Sequence, residues 1–281
     1  MINLGVHVSI AGSIHKSVGR AAGLGCTTMQ IFLRNPRQWR KRKLNGEEIE
    51  IFRESMDREK IKPLVVHIPY ISNLASNKRR FYKITIREFI TDLKEADKLG
   101  AHFFVAHMGS FRGGTEILGL LRVANALNRI LESTEKVKTS ILIENTSGSG
   151  KWLGYNFSHF RFVLERLKQA DRIGICLDTA HAWAAGYKID TKSGVDNLLS
   201  DIDKKVGIKK LKIIHLNDTL IGLGKKVDRH ADIGKGSIGK KGLGAIVNHP
   251  VLRNLPFILE TPKTNEEDDI RNLNMVRSLV K

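Results

Sequence analysis

Cysteine is nearly absent from this 281-residue chain: Cys26 and Cys176 are the only two, far apart in sequence. A disulfide framework is therefore excluded, as is a zinc site built on cysteine pairs. No apolar run approaches the ~20 residues that a helical membrane span requires. The first residues, MINLGVHVSIAGS, lack the basic flank and apolar core of a secretory leader. These absences predict a cytoplasmic protein with no membrane partner. Acidic residues are also scarce, 29 against 47 Lys and Arg, leaving a formal charge of +18. An excess of that size favours a polyanionic partner, nucleic acid or an anionic membrane surface, unless it only reflects lysine-rich, solvated surfaces. The basic runs RKRK (40–43) and KRR (78–80) read as solvated surface of that kind.

What is present is a repeat of short β-rich runs, each followed by a longer amphipathic stretch. The runs are 2–9, 27–33, 62–69, 102–109, 140–146, 172–179, 210–218 and 256–261, rich in Val, Ile and Phe as doubly covered strands are. The segment 81–100 keeps Ile86, Phe89, Ile90 and Leu93 at helical spacing and ends at Gly100, where a helix would stop. Eight alternations over this length predict an α/β fold, a single (β/α)8 TIM barrel spanning residues 1–281; an open doubly wound sheet is the competing architecture.

The ends of the runs carry the chemistry. The third run ends with His67, the fourth His107, the fifth Glu144, the sixth Asp178, the seventh His215 and the eighth Glu260; the first carries His7. In a parallel barrel those ends converge on one mouth. Any one of these residues alone reads as a satisfied rim group. Together they would bury several carboxylates with no Lys or Arg at the same strand ends, which is costly unless metal ions supply the counter-charge. The stretch D-T-A-H adds His181, and D-R-H adds Asp228 and His230. Nine candidate ligands, all His, Asp or Glu, suit zinc in two or three positions, with Mn2+ conceivable at one. Cys176 shares the inward parity of Asp178 but lies a layer deeper and reads as core. His15, His102, His159 and His249 fall outside the set. Ions clustered in this way activate water and clamp the oxygens of a phosphate ester, so with a basic chain the reading is phosphodiester hydrolysis. No Ser or Cys nucleophile paired with His is evident.

The motifs FLRNPRQW (32–39), HIPYISNLAS (67–76), AHMGS (106–110), IENTSGSG (143–150), GICLDTAHAWAAGY (174–187), HLNDT (215–219), VDRHADIGKGSIG (227–239) and ILETP (258–262) cover nearly the whole chain. On them, the sequence resembles the endonuclease IV family of apurinic/apyrimidinic (AP) endonucleases, bacterial-type DNA repair enzymes. The resemblance implies three zinc ions: one on His67, His107 and Glu144; a second on Glu144, Asp178, His215 and Glu260; a third on His181, Asp228 and His230. It implies hydrolysis 5′ to abasic sites in damaged double-stranded DNA, with Glu144 as the catalytic carboxylate, leaving a 3′-hydroxyl and a 5′-deoxyribose phosphate, with 3′-end trimming. It further implies that Arg37, Tyr70 and Ile71 enter the duplex at the lesion, a task for which a monomer suffices. Asn145, Asn217 and His7 stand where they could orient ligands or meet phosphate. The rival is a metal-dependent sugar isomerase or epimerase on the same barrel, which needs neither nine ligands nor a basic surface.

One stretch points elsewhere at first sight. GKGSIG (234–239) fits the dinucleotide pattern G-x-G-x-x-G, but no buried strand precedes it, so it reads as a sharp loop near the metals and a DNA backbone. Gly234, Gly236 and Gly239 are expected to tolerate positive φ.

Overall fold

The computed structural model describes residues 2–281. Eight parallel strands form the barrel: β1 (Leu4–Val6), β2 (Met29–Phe32), β3 (Leu64–His67), β4 (Phe103–His107), β5 (Ser140–Glu144), β6 (Ile173–Asp178), β7 (Leu211–His215) and β10 (Phe257–Leu259). They follow the order β1-β10-β7-β6-β5-β4-β3-β2, and a parallel bridge between His7 and Gln30 closes the ring. The pair β8 (Asp218–Thr219) and β9 (His230–Ala231) forms a separate antiparallel ribbon above the barrel. Helices α1 (Lys16–Gly23), α2 (Gly46–Arg58), α3 (Arg79–Lys98), α4 (Glu116–Ser133), α5 (Phe157–Leu164), α6 (Thr179–Ala185), α7 (Lys192–Val206), α8 (Gly239–Val247) and α9 (Glu266–Leu279) surround it. The architecture is the TIM barrel that the eight alternations predict.

Local signals fix the helix ends. The Asn45 side chain accepts from the Glu48 amide while Glu48 reaches back to the Asn45 amide, a reciprocal cap that starts α2. Past α3 the chain reverses at Gly100, whose φ of +79° belongs to glycine. Most strand runs are shorter than the sequence suggests. Run 210–218 breaks after His215, because the Asn217 side chain is drawn inward and Asp218 leaves for the ribbon.

Alternation along the strands separates two cores. Ile173, Ile175 and Leu177 of β6 join the large core between strands and helices, with Phe52, Phe89, Phe104 and Phe160 among its buried members. Val65, Val105, Leu142, Cys176, Ile213 and Ile258 form a separate plug inside the barrel. The plug contains one side chain from each of β3, β4, β5, β6, β7 and β10. Successive strand residues point to opposite faces, so the residue two positions on re-enters the barrel one layer higher. Those residues are His67, His107, Glu144, Asp178, His215 and Glu260. A two-residue step on six strands converts an apolar plug into a ring of imidazoles and carboxylates.

Candidate metal centre

The ring sits at the C-terminal mouth, where the structure brings the nine candidate ligands together. His67 Nε2 and His107 Nε2 lie 3.1 and 3.5 Å from Glu144 Oε2. On the other side His215 Nδ1 lies 3.1 Å from Glu144 Oε1 and 3.2 Å from Glu260 Oε2. His181 Nε2 and His230 Nε2 approach opposite oxygens of Asp228, at 3.2 and 3.3 Å. Among the described residues, three sets made only of His, Asp and Glu each bring their ligand atoms within 4.8 Å of one another: His67, His107 and Glu144; Glu144, Asp178, His215 and Glu260; Asp178, His181 and His230. Glu144 and Asp178 each belong to two sets.

Local structure explains the placement. Asp178 ends β6 and caps α6: its Oδ1 accepts from the His181 amide at 2.7 Å, so the D-T-A-H spacing turns His181 back over the strand end. Asp178 Oδ2 accepts from Asn217 Nδ2 at 2.6 Å, and Asn217 Oδ1 accepts from the Glu260 amide at 2.8 Å. Asn145 brackets the Asp178 backbone, accepting from its amide and donating to its carbonyl.

The imidazoles are held by their far nitrogens, and the holders dictate tautomer. His67 Nδ1 donates to the Ile68 carbonyl (2.7 Å), His181 Nδ1 to Asn145 O (3.0 Å) and His230 Nδ1 to Glu260 O (2.9 Å). A carbonyl only accepts, so each opposite nitrogen presents a lone pair to the cluster. His215 is reversed: its Nε2 donates to Gln30 Oε1 at 2.9 Å and its Nδ1 faces the carboxylates. Gln30 is fully buried, and its amide nitrogen also donates to Glu260 Oε1 at 2.6 Å and lies 3.0 Å from His7 Nδ1. The sequence reading overlooks Gln30; its one signal is an amide inside the apolar run MQIF.

Where a carbonyl or Gln30 holds the far nitrogen, an acceptor therefore faces the carboxylates, an arrangement that needs positive charge between them, as protons or as metal ions. Burial lowers His215, but Cys176, Glu260 and Glu144 around it raise it well above its usual value. Burial raises the Glu144 pKa, but His107 and His215 beside it hold it well below the carboxylate range; Glu260 is likewise held down by His215 against the effect of burial. Burial lowers His107 to about 4 and raises Asp178. Burial would lower His181 too, yet Asp178 and Asp228 hold it well above its usual value. Asp228 itself is pulled to about 2, burial being outweighed by His181 and His230. His230 Nε2 is buried without a hydrogen-bond partner among the described residues. Divalent ions fit this donor set: imidazole and carboxylate, with shared carboxylates between adjacent positions. Cys176 lies within reach of Glu144 and His215, but burial pushes its thiol up to about 12 and its neighbours are the apolar plug.

A cavity of about 350 Å3 opens above the cluster, lined by Tyr70, Arg229 and Pro262 besides the ligand candidates. Tyr70 stands on its rim, 55% exposed, its ring 5.2 Å edge-on from that of Phe32 and 6.1 Å from His67. Ile71 is half-buried beside it, and Arg37 is exposed on the loop after β2. In the run expected to be solvated, Arg40, Arg42 and Lys43 are exposed, and Lys41 is half-buried. Arg34 is buried against Glu88 and Asp92 and donates to Trp39 O, while Lys41 pairs with Asp92 (2.8 Å) and Glu95, so the segment is clamped to α3. His15, His102, His159 and His249 lie outside the cluster; His159, for example, accepts from the Gly154 amide and His249 lies 3.0 Å from Asp196.

The GKGSIG loop corrects one expectation. Gly234 and Gly239 have φ of +78° and +68°, but Gly236 is required for space: a Cβ there would lie 2.4 Å from Asp218 Oδ1 and from Thr219 O. Nor does the loop offer its amides to a phosphate. The amides of Gly234, Gly236, Ile238 and Gly239 converge on the fully buried Asp218 carboxylate at 2.9–3.4 Å, with no cation beside it among the described residues. The loop is an anion nest whose anion belongs to the protein. Asp218 pairs with Ala231 and Thr219 with His230 in the ribbon, so the filled nest fixes the register that carries Asp228 and His230.

Barrel, mouth cluster and nest together define the class. A family model described as xylose isomerase-like TIM barrel matches residues 18–279. A protein of Halothermothrix orenii named probable endonuclease 4 is 39% identical over 277 residues, covering 98% of this chain and 99% of its own. The crystal structure of endonuclease IV from Thermus thermophilus superposes with a TM-score of 0.89 at 34% identity, covering 99% of this chain and 98% of that one. The chain belongs to the endonuclease IV family. A D-tagatose 3-epimerase-like protein also superposes, with a TM-score of 0.76, 21% identity and coverage of 99% and 97%; that likeness is one of fold.

Proposed function

We propose that the protein is a zinc-dependent AP endonuclease that cleaves duplex DNA on the 5′ side of abasic sites. The observation that carries this reading is the set of imidazole lone pairs aimed at shared carboxylates, above a plug that seals the barrel beneath them. Three positions account for the nine residues: His67, His107 and Glu144; Glu144, Asp178, His215 and Glu260; His181, Asp228 and His230. Zinc held there supplies an activated water at neutral pH and positive charge for the oxygens of a phosphodiester, leaving a 3′-hydroxyl and a 5′-deoxyribose phosphate.

The chain's own residues do the rest. The Asn217 side chain and the His181 amide hold the Asp178 carboxylate still, and Gln30 holds His215 and Glu260 in register. Such outer contacts keep the ligands from reorganising during reaction. Arg229 is the one Lys or Arg side chain lining the cavity among the described residues, placed to meet a phosphate oxygen. An abasic sugar leaves the stack cheaply, and Tyr70, which lines the cavity, would fill the gap together with Ile71 and Arg37 from the loops after β3 and β2. The relatives named endonuclease 4 support DNA over a sugar as substrate. Cytoplasmic location and action as a monomer belong to the same proposal.

The test is a duplex carrying one abasic analogue, incubated with zinc-loaded protein. Nicking at that position alone, abolished by strong chelation, is expected; an intact strand would refute the assignment.

A further inference from the structure

The charge excess is not spread evenly over the barrel. The nine helices together carry 20 Lys and Arg against 18 Asp and Glu, close to balance. The barrel floor lies at the end opposite the metal centre. It comprises the loops that enter the strands from below, Lys212 at the start of β7, and Lys281 beyond α9. This floor carries twelve Lys and Arg against four Asp and Glu. A uniformly lysine-rich surface would not leave the helical belt balanced and the floor strongly positive.

A bland explanation is at hand, because helices end at the floor and basic groups there complement their carbonyls. It accounts for three of the twelve. Arg166 donates to Phe162 O, Arg172 to the carbonyls of Leu131, Thr134 and Val137, and Lys210 to those of Ala170 and Ile173. The side chains of the other nine, among them Lys60, Lys62, Lys136, Lys138, Lys168 and Lys209, are exposed and make no hydrogen bond or ion pair among the described residues. Two of the four floor acids are already taken: Glu59 pairs with Arg58 and Glu165 with Arg161.

One of the nine depends on an irregularity in the sheet. The register between β6 and β7 slips so that Ile175 faces Leu211 while the next residue, Cys176, faces Ile213. The extra residue is Lys212, exposed within an otherwise buried strand. It lies over Gly174, where a Cβ would fall 2.9 Å from Lys212 Cγ and 2.6 Å from Leu142 Cδ2 of the plug. A bulge that re-aims a side chain is a built feature, and here it adds an ammonium group to the rim of the barrel floor.

We infer that the floor is a second polyanion-binding surface, which takes the backbone of a second, undamaged segment of duplex DNA while the mouth engages its own. Unpaired, exposed ammonium groups on fixed loops suit the phosphates of a duplex, and such binding is independent of sequence. A lipid surface fits less well: among the described residues, of the large exposed apolar side chains only Val251 and Val280 lie on this face, leaving little to insert. The choice of DNA as occupant rests on the function proposed above.

The experiment uses the full-length, metal-loaded protein and two short undamaged duplexes, one labelled with a donor dye and one with an acceptor. Energy transfer from duplexes bridged on one chain is expected with the wild type. It should fall about tenfold or more in the K60E/K62E/K136E/K138E variant, and to a smaller degree when the same positions become Gln. Each lost phosphate contact should lower the salt slope of the floor's binding by about 0.9. Retained nicking of an abasic duplex by both variants shows that they are folded, and bridging is read without any cleavage. If the protein nicks nothing, the proposed function fails and the bridging result still stands. Absence of bridging in the wild type would overturn the inference, as would undiminished bridging in both variants. So would binding to phosphatidylserine vesicles in place of duplexes.

Discussion

Two layers of one barrel, a single two-residue step apart, have opposite characters. Val65, Val105, Leu142, Cys176, Ile213 and Ile258 fill the lower layer without a charge. His67, His107, Glu144, Asp178, His215 and Glu260 fill the upper one with hardly an apolar atom. Both layers stand on the same strands in the same register, so backbone geometry does not distinguish them. The difference teaches how the site is supported: the dry layer seals the low-dielectric side of the cluster, and the polar layer is held from above by caps, amides and a filled nest.

The comparison can be broken from the upper layer first. Glu144→Gln keeps the shape but removes the charge shared by two ligand sets. Turnover on an abasic duplex should fall on the order of 10^3-fold with duplex binding retained, since several kcal/mol of charge stabilisation depend on this group. Single-turnover nicking alongside a binding assay checks it, and a rate near wild type would remove Glu144 from its bridging position.

Asp218→Asn touches no ligand and tests the nest instead. An amide in that place sets an NH2 against the converging backbone amides, so the ribbon that presents Asp228 and His230 should loosen. The expected loss is roughly 10- to 100-fold in affinity for the metal at that position, the size typical of groups that orient ligands. Metal content after dialysis reads this directly. The ions on His67, His107 and His215 should stay, and formate or acetate should rescue an Asp218→Gly variant by refilling the nest. Uniform loss of all metal would show a general folding defect instead.

The lower layer should respond in the opposite way. Leu142→Ala leaves a cavity beneath the cluster and should cost about 2–5 kcal/mol of stability. Turnover per metal-loaded chain should change little. A chemical denaturation curve and a rate on the same preparation separate the two effects, and a loss of rate without a loss of stability would mean that the plug tunes the metals.

Much of this architecture is legible in the sequence. Eight strand runs and the six residues at their ends can be found there because each acts on its own strand, and His181, Asp228 and His230 because they lie in short motifs. Gln30 cannot be read in the same way, since its task is to face His215 across 185 residues and its own strand looks like ordinary core. Asp218 stands in plain view in HLNDT, but its partners are backbone amides, which leave no trace in side-chain identity. That also misleads on GKGSIG, where the glycine spacing is real and the bound anion is an aspartate of the same chain. The run 40–43 reads as solvated surface because charge alone does not show that Lys41 and the nearby Arg34 have acidic partners on α3.

The central claim is that the polar layer and the ribbon above it hold three divalent ions. Metal analysis by mass spectrometry on protein purified without chelator tests it most directly. Close to three zinc per chain is the expected result; one or none would contradict the account.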